Sequence, residues 1–115
     1  MATKGFGGRT KRTTLVNTTA SIAAANVRFG VTYTNTGASG TVTITLPANP
    51  AKGSTVGFAV TPDTKTLRAM PDAADTIRYS GLAAGAPLGT NSSGACWLLV
   101  ANGSNSWIVA SSGGI

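Results

Sequence analysis

The sequence predicts an all-β fold: a small antiparallel β-sandwich or barrel preceded by an extended N-terminal arm. Three observations predict it. Apolar residues alternate with polar ones over short runs, which is the period of a two-faced strand. Clusters of Gly, Pro and Asn punctuate those runs. The chain opens on "MATKGFGGRTKR", which is basic, glycine-rich and without periodicity. At 115 residues the chain has the size of one small domain with one modest core.

Residues 1–13 form the arm, residues 14–30 connect it and carry the first strands, and residues 31–115 are the β domain. "SIAAANV" is the only helical hint, and seven residues are marginal alone, so a short turn or strand is expected there. In "NVRFGVTYTNT", Val27, Phe29, Val31 and Tyr33 fall on every second position. "TVTITLP" repeats the rhythm with Val42, Ile44 and Leu46, and its threonines are β-branched, so the polar face also suits a strand. "STVGFAV" adds Val56, Phe58 and Val60. "KTLRAM" and "DTIRYS" are shorter strands with Leu67, Ile77 and Tyr79 inward, and "ACWLLVA" and "SWIVA" close the domain.

The punctuation fits these strands. "NTGASG" supplies glycines where positive φ is needed, and "PANPAKG" ends a strand because proline cannot donate to a ladder. "ANGSN" contains the Asn-Gly pair of a hairpin turn. Residues 80–95, "SGLAAGAPLGTNSSGA", lack alternation and are expected to be a long loop of small side chains, suited to close approach by a neighbouring subunit.

Composition narrows the chemistry. The chain has 18 Thr, 18 Ala, 15 Gly and 10 Ser, but no His, Glu or Gln. The commonest general base near neutral pH is therefore missing, and no Ser-His-Asp or Cys-His arrangement can form within one chain. Asp63, Asp72 and Asp75 are the only acids, and they lack the dense alternation of a calcium loop. One cysteine and no histidine fall short of a zinc site. The expectation is no enzyme, no metal and no cofactor. Cys96 cannot make an intrachain disulfide, and "GACWLLVA" reads as placing it in the core as a small hydrophobe. "GGRTKR" lacks the spacing and preceding strand of a phosphate loop. No apolar signal core follows the basic start, and "LLVA" and "SIAAA" are too short to span a bilayer.

The formal net charge is +6, and Lys4, Arg9, Lys11 and Arg12 of the arm supply four of the nine basic residues. Arg28, Lys52, Lys65, Arg68 and Arg78 are scattered over the domain; for Arg68 and Arg78, which alternate with apolar neighbours and so point outward, bridges to Asp63, Asp72 or Asp75 are the plain expectation and a bridge across a subunit boundary the sharper one. Such a charge can meet phosphates or an acidic protein surface. Single-strand nucleic-acid sites add exposed aromatic platforms, and Phe6 is the only aromatic among the arm's charges, so docking on protein is favoured over nucleic acid. Trp97 and Trp107 could stack a sugar, but both lie in apolar strand patterns, which favours packing with the indole N–H bonded. Ordering the arm costs about 1–2 kcal/mol per residue, while an exposed ion pair returns at most about 1 kcal/mol. Charge alone cannot fix it. Main-chain pairing with a partner, with Phe6 as an anchor, can.

From Val31 onward the pattern resembles a β module of tailed-phage virion proteins, found in small capsid decoration (cement) proteins and at tail-fibre tips. The residues that carry the resemblance are Asn35, Gly37, Leu46, Pro47, Gly53, Leu67, Arg68, Pro71, Asp75, Ile77, Trp107 and Gly113. It implies a homotrimer made in the bacterial host cytoplasm and carried on the virion capsid surface, with the major capsid protein as partner. Lys4, Phe6, Arg9, Lys11 and Arg12 would then be the residues that grip the capsid. The alternative is a tail-fibre or tail-tip module binding a host surface receptor. A tail fibre usually has long regions before such a module, and here only about thirty residues precede it.

Overall fold

The computed structural model describes residues 14–61 and 65–114. Nine strands form: β1 (Thr14–Asn17), β2 (Val31–Thr34), β3 (Val42–Thr45), β4 (Thr55–Ala59), β5 (Leu67–Met70), β6 (Thr76–Arg78), β7 (Leu88–Thr90), β8 (Cys96–Ala101) and β9 (Ser106–Gly113). One 3-10 turn, Ala24–Asn26, occupies the alanine run. The all-β class follows from the alternation: in β2, β3 and β5 every second residue is buried and its neighbours are half-buried.

The strands lie in two sheets, one ordered β1-β2-β4-β8-β9-β6 and one ordered β3-β5-β7. Their inward residues make one hydrophobic cluster. The large sheet contributes Tyr33, Val56, Phe58, Trp97, Leu99 and Trp107, and the small sheet contributes Val42, Ile44, Leu67, Ala69 and Leu88.

The antiparallel expectation does not hold. Four of the seven strand pairings are parallel: β1 with β2, β2 with β4, β3 with β5 and β6 with β9. The reason is that the chain crosses between sheets after almost every strand instead of turning back. From β1 it passes Ile22, which bridges Ile44 of β3, and then returns to β2. It crosses again to β3, back to β4, and again to β5. A strand reached after a full circuit runs in the same direction as the one it lies beside, so this winding produces parallel neighbours. The hairpin expected at "ANGSN" does form. Asn102 N–H donates to Ser106 O at 2.9 Å, and Gly103 takes a positive φ of 78°.

Two further expectations are corrected. The alternation from Val27 does not become strand until Val31, because Gly30 turns at φ 79° and gives its N–H to Thr55 O at 2.8 Å. Phe29 is left 43% exposed, resting against Trp107 with ring centroids 6.4 Å apart. The segment 80–95 is not all loop. It contains β7, whose Gly89 lies so close to Arg68 and the Leu67 carbonyl that a side chain there has no room. Small residues in this segment thus admit a strand of the same chain.

Asn35 ties the crossings together. It is fully buried at the end of β2; its Nδ2 donates to Lys65 O at 2.9 Å, and its Oδ1 accepts from the N–H and hydroxyl of Thr61, both at 3.2 Å. Its own carbonyl accepts from Ala38 N–H at 3.1 Å, starting the crossing to β3. Removing the amide breaks three part-buried hydrogen bonds and leaves Lys65 O and Thr61 N–H without these partners, at a cost of about 0.5–1.5 kcal/mol each. Asn35→Ala is therefore expected to lower unfolding free energy by roughly 2–4 kcal/mol in urea titration. An unchanged midpoint would refute this role.

Candidate docking site

The arm residues singled out in the sequence, Lys4, Phe6, Arg9, Lys11 and Arg12, lie outside the described residues. The structure does describe where the arm joins the domain. Thr14 begins β1, and β1 is an outermost strand of the large sheet, paired in parallel with β2 alone. Val16 packs on the core opposite Tyr33, while Leu15, opposite Thr32, is 67% exposed. Asn17 fastens the far end of the strand. Its Oδ1 accepts from Thr34 Oγ1 at 2.9 Å and Thr36 N–H at 2.8 Å, and its Nδ2 donates to Thr36 O at 3.1 Å. Thr18 N–H adds a bond to Thr34 O at 2.9 Å. The arm is thus the covalent continuation of an anchored edge strand.

The basic residues of the domain are not gathered into a patch by ion pairing. Arg68 Nε donates to Thr43 Oγ1 at 2.9 Å across the outer face of the small sheet. Arg78 is exposed at the end of β6. Among the described residues no arginine–aspartate bridge forms, and Asp63 lies outside them. Asp72 instead accepts from Ala74 N–H at 3.2 Å within its own turn. Asp75 is buried, and its Oδ2 finds no hydrogen-bond partner among the described residues. Among those residues no group of three or more His, Cys, Asp and Glu gathers that could hold a metal.

Both tryptophans are buried and face the core, where Trp97 stacks on Phe58 at 5.0 Å and an interplanar angle of 8°. Neither offers a ring to a sugar. Their indole N–H groups, expected to be bonded, have no partner among the described residues. The alternation that turns the indoles inward surrounds them with apolar side chains, and the area they bury offsets the unpaired donor.

Cys96 corrects another expectation. It is exposed, because β8 alternates and Trp97 takes the inward position. With Cys96 outward go Leu98 and Val100, and on β9 Ile108, which is 40% exposed. The sequence reading missed this apolar outer face. The signal was present in "CWLLVA" and "SWIVA", which are apolar at both alternating positions and so have hydrophobic residues to spare after the core is filled. A shallow depression of about 250 Å³ opens on this face, lined by Thr32, Gly57, Ala59, Cys96, Leu98 and Ser111. A second of about 280 Å³ follows residues 76–82 beside β6. Neither gathers a nucleophile with a base.

No protein-family model matches the chain, and no curated protein does.

The burial of Trp107 yields a test that separates packing from recognition. Trp107→Ala is expected to lower stability by about 3–5 kcal/mol, as other large-to-small core changes do. Thermal unfolding reads this directly, and an unchanged melting temperature would make the ring a surface group.

Proposed function

We propose that this chain is a structural protein of a tailed-phage virion: a capsid decoration protein, folded as a two-sheet β-sandwich and assembled as a homotrimer. Its basic arm binds the major capsid protein and holds neighbouring capsid subunits together. The observation that carries the reading is the position of the arm's root. Residues bearing four of the nine positive charges continue from an edge strand anchored by Asn17, so the domain can stay rigid while the arm reaches another chain. The resemblance at Asn35, Leu46, Pro71, Asp75, Ile77 and Trp107 supports the same class. Each of these is a buried residue, so the motif reports a shared way of building the domain.

The arm works by two physical terms. Positive charge steers the encounter with an acidic capsid surface and weakens with salt, since the Debye length is about 8 Å at physiological strength. Main-chain pairing and burial of Phe6 supply the part that salt does not remove.

Protein lacking residues 1–13 is expected to fold, because the described core cluster and its packed neighbours run from Val16 to Val109. It is also expected to bind undecorated capsids at least about tenfold more weakly, a loss of about 1.4 kcal/mol. Neutralising Lys4, Arg9, Lys11 and Arg12 should mainly slow association at low salt, with the difference fading as salt rises. Truncated protein that decorates capsids with unchanged affinity would refute the arm's role. Copy number distinguishes decoration from a tail tip: hundreds per virion for the former, a few dozen or fewer for the latter.

A further inference from the structure

An asparagine side chain is thermolabile because the backbone nitrogen of the next residue can attack its amide carbon. The attack needs that nitrogen free of other bonds, and it is least hindered where the next residue has no side chain. The chain has seven asparagines, and the structure separates them on this point. After four of them the next N–H is engaged: Thr18 donates to Thr34 O at 2.9 Å, Val27 to Ala24 O at 3.3 Å, Thr36 to Asn17 Oδ1 at 2.8 Å and Ser92 to Thr90 Oγ1 at 3.2 Å. Asn49 is followed by Pro50, which has no N–H. Asn105 is followed by Ser106, a buried residue of β9.

Asn102 stands apart. Gly103 N–H has no hydrogen-bond partner among the described residues, and Asn102, Gly103, Ser104 and Asn105 are all exposed. The side-chain amide is loosely held, since its Nδ2 donates to Ser106 Oγ at 3.3 Å, beyond the usual range of an N–H···O bond.

We propose that Asn102 is a site of spontaneous self-modification, in which Gly103 N attacks Asn102 Cγ and closes a cyclic imide. The N–Cγ bond forms and the Cγ–Nδ2 bond breaks. The proton of Gly103 N–H leaves with Nδ2 as ammonia. Water then opens the ring. Cleavage at the side-chain carbonyl gives aspartate, and cleavage at the main-chain carbonyl gives isoaspartate. Water is the only reagent consumed, so the step suits a chain without histidine.

Both products carry a carboxylate in place of a neutral amide and lower the net charge of +6 by one unit. The charge arises beside a cationic residue, because Lys52 lies against Gly103, with its Cβ 3.1 Å from where a Gly103 Cβ would stand. Aspartate leaves the main chain as it was. Isoaspartate adds a methylene to it within the loop that joins β8 to β9. The lengthened loop pulls on the bond that closes the hairpin, from Asn102 N–H to Ser106 O at 2.9 Å.

Peptide mapping by mass spectrometry, on full-length protein aged at mildly alkaline pH either folded or in urea, tests the proposal. In the folded protein Asn102 is expected to convert at least about tenfold faster than any other asparagine, giving aspartate and isoaspartate together. In urea its lead over Asn91 should shrink by at least about threefold, because unfolding releases Ser92 N–H from its bond. Asn102→Asp should melt with the unmodified protein, and the purified isoaspartate form below both. Aspartate as the sole product, or an Asn102 no faster than Asn91 or Asn105 in the folded protein, would overturn the site. An undiminished lead in urea would overturn the part assigned to the fold. An isoaspartate form that melts with the unmodified protein would overturn the strain on the hairpin.

Discussion

The buried amide of Asn35 joins parts of the chain that no strand ladder joins. On one side it receives Thr61, just after β4; on the other it gives a hydrogen bond to Lys65, just before β5. Its own backbone opens the crossing from β2 to β3. The crossings carry the chain between sheets, and the sheets cannot share a core unless the crossings end in register. A buried amide held from both sides has few alternative positions, since any slip leaves its donor and acceptor bare. The parallel neighbours, the placement of Leu67 against Val42, and the enclosure of Phe58 and Trp97 all follow from that alignment.

Much of this was legible in the sequence. Val42, Ile44 and Leu46 announce their inward face by spacing alone, and the threonines between them show that the other face is wet. The Asn-Gly of residues 102–103 announces a reversal, because the pair tolerates the positive φ that a tight hairpin needs. What spacing cannot say is where a turn leads. "NTGASG" has the composition of a reversal, yet it delivers the chain to the other sheet, because composition sets local backbone freedom and not direction. β7 was hidden for a related reason. Its three residues, Leu-Gly-Thr, are too few to show alternation, and its glycine is explained by crowding against Arg68, a contact distant in sequence.

The surface features were legible in a different measure. Lys4, Phe6, Arg9, Lys11 and Arg12 stand out by charge and by the absence of acids around them, and chemistry of that kind is visible without a fold. The outer face of the large sheet is visible only with one. Cys96, Leu98, Val100 and Ile108 look like core residues because they sit among core residues in sequence. Assigning each to a side requires knowing that Trp97 and Leu99 already occupy the inside. Surplus hydrophobicity in β8 and β9 is a sequence fact, but its meaning depends on which face is left uncovered.

The winding of the chain bears on how the domain comes into being. Among the described strands, β8 and β9 alone form an antiparallel pair of consecutive neighbours, so they alone can zip from a short turn. Every other ladder must close a long stretch of chain first, which is entropically expensive and slow. β8 and β9 also stand between β4 and β6 in the large sheet. During synthesis, β6 leaves the ribosome before the strand it must lie beside, and β4 before its partner β8. Until the last strand emerges, the early segments carry open edges and bare apolar faces together, the state in which β-rich chains are most prone to aggregate. Completion of the domain therefore waits on the β8–β9 hairpin, whichever segments fold before it.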